Sequence, residues 1–293
     1  MPGRKRRGVS AALWAAAFGV TVALAFFQRM TGPSHPARGS VTVADGESIR
    51  YRLPRSNEGR DRLLITLPEE SGGSTAVVEW RRYPTEDAFA PLEMKRTPSG
   101  SLEASIPRQP AAGKVEYVIR LDTAGSAVQV PSEETVVARF RDPVPAGVLV
   151  PHILAMFASM LVSTRALFEV LRPGARGRGL VLTAMGLLVV GGLFLGPVVQ
   201  KFAFGAYWTG WPNGTDLTDN KTLIAFLAWL PATVAAARGF RMRVAVALGW
   251  VVMMGVFLIP HSMRGSELDW SSTEGRAPVA GDRTQEWSAV VIS

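Results

Sequence analysis

The chain has no cysteine and only three histidines in 293 residues. Disulfides, zinc–thiolate sites, iron–sulfur clusters and covalently attached c-type haem are thereby excluded, so an exported domain has to be held together by its own apolar core. Catalytic signatures are missing too. There is no Walker loop, GxGxxG, HExxH or GxSxG, and no two-carboxylate arrangement on one helix. Charges inside the apolar segments are too few for an obvious transport or proton path. The expectation is a protein that is not an enzyme.

Apolar sequence is abundant and comes in blocks: 47% of residues are hydrophobic and the mean hydropathy is +0.16. Residues 11–27 carry no charge and follow the basic cluster Arg4, Lys5, Arg6 and Arg7. The sequence after them, QRMTGPSHPARGS, offers no small-x-small cleavage site, which favours a retained anchor helix over a removed signal peptide. Four further blocks, 148–171, 180–199, 222–237 and 244–259, come near the roughly 20 residues that a helix needs to cross hydrocarbon, the last two being short. Five transmembrane helices are predicted.

The net charge of +8 and the pI near 10.4 would fit a nucleic-acid partner, but the location of the charge argues against one. Arg4, Lys5, Arg6 and Arg7, then Arg172, Arg176 and Arg178, then Arg238, Arg241 and Arg243 form three clusters with no acidic residue among them. Residues 35–145, by contrast, hold 15 basic and 16 acidic residues. Basic short loops on alternate sides follow the positive-inside rule for a multi-pass protein of the cytoplasmic membrane, N-terminus cytoplasmic and C-terminus outside. The basicity is topology. Expected partners are membrane lipid and other membrane or extracytoplasmic proteins, with no nucleic acid.

In order along the chain, residues 1–30 form the basic N-terminus and anchor helix, and residues 31–40, rich in Pro, Gly and Ser, a linker. Residues 41–145 change to short alternating runs between turn residues: VTVA, SIRYRL, RLLITLP, TAVVEWRRY, PLEMKR, SLEASIP, KVEYVIRLD, AVQVP and TVVARF. Seven to nine such strands at this spacing predict an all-β sandwich ectodomain, with Val78 and Trp80 on one face of their strand, in its core. The stretch IPRQPAAGKVEYVIRL resembles the E–F corner and F strand of immunoglobulin-like and fibronectin-III-like domains, with Tyr117 in the place of the corner tyrosine. RDPVPAGV reads as a stiff joint. Residues 146–261 form a four-helix transmembrane unit with an outer loop at 201–221, and 262–293 an extracytoplasmic tail.

If the chain has a chemical site, it is expected under that loop. His152 starts an inward-running helix at the outer face and His261 ends an outward-running one there. Two imidazoles from different helices at one depth suit a metal or a b-type haem, with Asp216, Asp219, Glu267 and Asp269 adding oxygen ligands or orienting the rings. The plainer alternative keeps each histidine at headgroup level, bonded to loop carbonyls or lipid phosphate. Tyr207, Trp208 and Trp211 fall where an interfacial aromatic belt or a lid places them. Asp216, Thr218 and Asn220 have the alternate spacing of a calcium loop, but Leu227 stands where its closing glutamate belongs. N-capping of the fourth span by Thr218, Asp219 or Asn220 explains these residues better. Arg165 and Glu169, four apart near the cytoplasmic end of the second span, read as an intramembrane ion pair. Gly192 and Gly196 make a GxxxG step for close packing, Pro197 loosens that helix at its outer end, and Pro231 should kink the fourth span.

The half of the chain running from HILAMF through GPVVQKFAFGAYWTGWPNGTDLTDNKT to LIPHSMRGSE resembles a group of uncharacterised bacterial membrane proteins that pair an exported immunoglobulin-like domain with a four-helix membrane unit. The resemblance implies this architecture and carries over no catalytic residue. The functional expectation is a protein-binding or assembly module on a membrane anchor, an accessory subunit of a larger complex. The alternative is a membrane redox protein holding a metal or haem.

Overall fold

Alternation in one half of the chain and continuous apolar runs in the other produce two kinds of structure. The structure is a computed structural model, which describes residues 2–32, 34–43, 46, 48–59, 61–68, 74–123, 126–174, 177–260, 268 and 270. His261 and most of the expected extracytoplasmic tail, Glu267 and Asp269 included, lie outside the described residues.

The β domain has eleven strands among the described residues: β1 (Ala37–Thr42), β2 (Ser48–Leu53), β3 (Ser56–Glu58), β4 (Leu63–Leu67), β5 (Thr75–Tyr83), β6 (Ala90–Glu93), β7 (Lys95–Arg96), β8 (Leu102–Ile106), β9 (Lys114–Thr123), β10 (Ser126–Val130) and β11 (Val136–Arg141). They form a β1–β2 pair, a β4–β8–β7 sheet and a larger β3–β11–β9–β5–β6 sheet in which β10 also pairs with β9. Every second residue of β4 and β8 faces inward, so Leu63, Ile65, Leu67, Leu102, Ala104 and Ile106 are buried while Leu64 is 51% exposed. They meet Val78 and Trp80 of β5 and Tyr117, Ile119 and Leu121 of β9 in one core shared by all three sheets.

Two features depart from the sequence reading. PLEMKR is two strands, β6 in the large sheet and β7 in the small one, because the side chain of Met94 between them turns into the core at 8% exposure. Tyr117 is fully buried, yet its hydroxyl donates to the carbonyl of Pro54, 2.8 Å away on the segment after β2. A corner tyrosine bonds backbone only a few residues upstream, so Tyr117 here staples two distant parts of the chain. Burial raises its phenol well above the ordinary value, so it stays a donor through the neutral range.

Among the described residues five helices follow the apolar blocks: α1 (Pro2–Thr31), α2 (Ala146–Val170), α3 (Arg178–Phe204), α4 (Leu217–Arg238) and α5 (Arg243–Leu258). The first four are long and apolar enough to cross a membrane, so the chain is a multi-pass membrane protein. At about 1.5 Å per residue the 16 residues of α5 reach roughly 24 Å, short of the roughly 30 Å of hydrocarbon. α4 is 22 residues long, more than its apolar block, because its cap lies six residues before that block begins. α4 remains helical through Pro231, which faces outward on the exposed side with Leu227.

α2 to α5 pack around Trp229, which is fully buried and donates through its indole N–H to the Val181 carbonyl at 3.3 Å. A Cβ on Gly249 of α5 would stand 2.8 Å from the Trp229 ring, so only glycine lets α5 approach α4 this closely. α1 lies against the bundle by a seam of Ala17, Thr21 and Leu24, and Gln28 donates to the Phe257 carbonyl at 2.8 Å.

Candidate functional site at the lid

α3 is not uniform. Its middle, Val189–Leu195, is wound as a π-helix between two α-helical halves, and Pro197 follows directly. Proline lacks the N–H that would bond the carbonyl four residues back and its ring crowds that carbonyl, so the turn before it widens. The widened turn sets Gly191 and Gly192 against different neighbours. A Cβ on Gly191 would meet Ala155 of α2 at 2.9 Å, and one on Gly192 would meet Thr222 of α4 at 2.6 Å. At Gly196 the nearest atoms stand 3.6 and 3.8 Å away, an ordinary contact. Close packing therefore rests on two adjacent glycines rather than on the Gly192–Gly196 step.

His152 sits against this turn. Its Nδ1 lies 2.9 Å from the Gly191 carbonyl oxygen. A carbonyl can only accept, so Nδ1 carries a proton, and in the neutral ring Nε2 keeps its lone pair.

Beyond Phe204, Gly205 takes a left-handed conformation, φ 85°, and turns the chain into the loop that runs to Asp216. Two carboxylates hold this loop down. Asp219 Oδ2 accepts from the backbone N–H groups of Thr209 at 2.7 Å and Gly210 at 3.0 Å. Asp216 is the N-cap of α4: its Oδ1 accepts from Thr218 N at 2.7 Å and its Oδ2 from the Thr209 hydroxyl at 3.1 Å. The cap is thus Asp216 itself, not Thr218, Asp219 or Asn220. Asn220 Oδ1 instead accepts from Trp211 N at 2.7 Å, and Gln200 of α3 donates to Thr209 Oγ1 at 2.6 Å. Gly210 cannot be larger, since a Cβ there would lie 2.6 Å from that of Asp219.

Lys221 closes the arrangement below. It is 1% exposed, and its ammonium donates to the carbonyls of Ile259 at 2.7 Å and Pro260 at 3.4 Å, satisfying the end of α5. The sequence reading passed over Gln200, Thr209 and Lys221. A lysine in the first turn of an apolar helix was the available signal, since such a charge has to find partners.

The aromatic residues lie above this network. Tyr207 and Trp211 are 59% and 68% exposed, and Trp208 donates to the Trp211 carbonyl at 3.0 Å. Lys201 stands 5.4 Å from the Tyr207 ring centre. Among the described residues no group of three or more His, Asp and Glu side chains is placed to hold a metal ion. Asp216 and Asp219 point their lone pairs at the loop's own donors. The arrangement can latch a lid, and among the described residues of the candidate set His152 bonds the α3 backbone rather than the loop.

Arg165 and Glu169 lie at the opposite end of the bundle. Arg165 Nη2 is 2.7 Å from Glu169 Oε2, which Arg172 approaches at 3.3 Å. No protein-family model matches the chain, and no curated protein matches it either.

Proposed function

We propose that this is a membrane-embedded assembly subunit: a bundle of five spans carrying an immunoglobulin-like β-sandwich outside the cytoplasmic membrane, which binds other membrane or extracytoplasmic proteins. The short helix α5 completes the fifth span, its end extended by Ile259 and Pro260 and held by Lys221. The observation that carries the reading is the attachment of the β domain to the bundle. Asp142 donates its N–H to the Ala203 carbonyl of α3 at 3.0 Å and pairs through its carboxylate with Arg108 of the β domain. Arg139 of β11 lies over the Phe204 ring at 4.1 Å. A domain held this way presents one face at one height, which suits a docking partner better than a free ligand trap.

The test places a photo-crosslinking residue at Leu64, on the outward face of β4, and separately at Trp211 in the lid, in cells at native expression. Discrete heterologous adducts from Leu64 are expected. Adducts from neither site, with the protein present and folded, would sink the assembly reading.

One hydrogen bond favours a second reading. A histidine that donates Nδ1–H to a backbone carbonyl presents Nε2 as metal-binding imidazoles do. If His152 serves a metal or haem, protein purified from its own membranes carries near-stoichiometric iron, copper or zinc that a folded His152→Ala variant loses. Equal metal content in both forms removes that reading.

A further inference from the structure

The end of the bundle away from the β domain holds a charge that its own helix leaves unsatisfied. Arg165 is 5% exposed, and although Nη2 pairs with Glu169, its Nε and Nη1 have no hydrogen-bond partner. Buried guanidinium N–H groups without acceptors are costly, and the pair with Glu169 does not settle the charge either. Glu169 is shared with Arg172, so the trio keeps a net positive charge, and Arg243 reaches the Arg172 carbonyl at 3.4 Å and adds another. Among the described residues of the segments that meet here, 8–20, 161–174, 177–182 and 233–250, no residue is acidic except Glu169.

The site lies at a definite depth. Arg165 is five residues before the end of α2, about 7.5 Å along a helix whose 25 residues exceed the hydrocarbon thickness. That places its guanidinium where hydrocarbon gives way to headgroups. Trp14 stands beside it, the ring centre 5.7 Å from the guanidinium carbon, and at 38% exposure it forms a rim of the α1–α2 groove. Phe18, one turn along α1 from Trp14, and Leu171, just past the end of α2, are apolar and 62% and 59% exposed.

We propose that this groove binds the phosphate of an anionic phospholipid, with Arg165 and Arg172 as its ligands and Trp14 as the wall along the upper acyl chain. A guanidinium fork matches two phosphate oxygens, and an anion there supplies the missing acceptors and the missing charge together. A guanidinium at this depth, beside exposed apolar side chains, favours a lipid headgroup over free phosphate.

The test is native mass spectrometry of the full chain in mild detergent with phosphatidylglycerol or phosphatidylcholine added. The wild type is expected to retain one phosphatidylglycerol under conditions that strip phosphatidylcholine. An Arg165→Gln, Glu169→Gln double variant, which leaves no buried charge, is expected to lose that preference. Should it fail to fold, Arg165→Lys keeps the charge without the fork and is expected to retain less phosphatidylglycerol than wild type. Equal retention of the two lipids, unchanged retention in a folded variant, or displacement of the lipid by tens of millimolar inorganic phosphate would overturn the proposal.

Discussion

Asp87 shows how one carboxylate conditions a distant contact. It grips Arg82 at two points, 2.5 Å from Nε and 3.0 Å from Nη2, and Arg82 in turn lies over the Trp270 ring at 5.3 Å. The hydrogen bonds from Arg82 hold the carboxyl below its usual 3.8. A carboxyl more acidic in the folded than in the unfolded state adds stability that is complete above the unfolded value and is lost as pH falls through the folded one. The pair is a third exposed on the aspartate side, so screening limits its worth to under about 1 kcal/mol. Asp87→Asn should therefore melt slightly below wild type near neutral pH, and the two should converge as the pH is lowered below 3.8. A deficit of constant size across thermal melts from pH 3 to 7 would show that the ionised pair is not its source. The lid carboxylates play a different part: Asp216 and Asp219 accept from backbone N–H groups, the usual employment of acids at a helix start, and Asp216 also from the Thr209 hydroxyl.

At the scale of elements, legibility followed periodicity. The apolar blocks became helices and the alternating runs became strands because burial on one face, or on all faces, leaves its mark on every residue of a segment. Val78 and Trp80 fell together in the core for that reason. What stayed hidden was set by single contacts. Ser56–Glu58 has no apolar alternation and is a strand only because Arg139, Phe140 and Arg141 of β11 pair beside it. The π-helical turn of α3 follows from one proline and two glycines meeting two neighbouring helices, and the GxxxG spacing pointed to Gly196 where Gly191 makes the contact. In the lid the sequence showed the acids and aromatics but not their pairing. Whether Asp219 binds a metal or the N–H of Thr209 depends on a loop conformation that no spacing rule specifies. Arg165 and Glu169 were legible as an i, i+4 pair; the two unmet N–H groups were not, since they depend on what α1 brings alongside.

At the scale of the whole molecule, the relation of the β domain to the bundle rests on three places. The chain passes from α1 to β1 over residues 32–36, from β11 to α2 over residues 142–145, and returns after α5 to place Trp270 on the β domain. Two connections define an axis about which a domain can still rock, even with Arg139 over Phe204 beside one of them. Trp270 adds a third contact on the β domain. Trp270 is 8% exposed, donates to the Tyr83 carbonyl at 3.1 Å and lies where a Cβ on Gly113 would stand 3.2 Å from its ring. Aromatic burial of this kind is among the larger single contributions a side chain can make. Trp270→Ala should therefore leave both domains folded while freeing one rocking motion. Because the chain has no native cysteine, spin labels placed by Ser132→Cys in the β domain and Thr215→Cys in the lid report this directly. Pulsed dipolar measurement should give one narrow distance distribution in the otherwise native chain and a broad one with Trp270→Ala. An unchanged narrow distribution would mean that Asp142 and Arg139 alone fix the domain, and would strip the tail of its role as a brace.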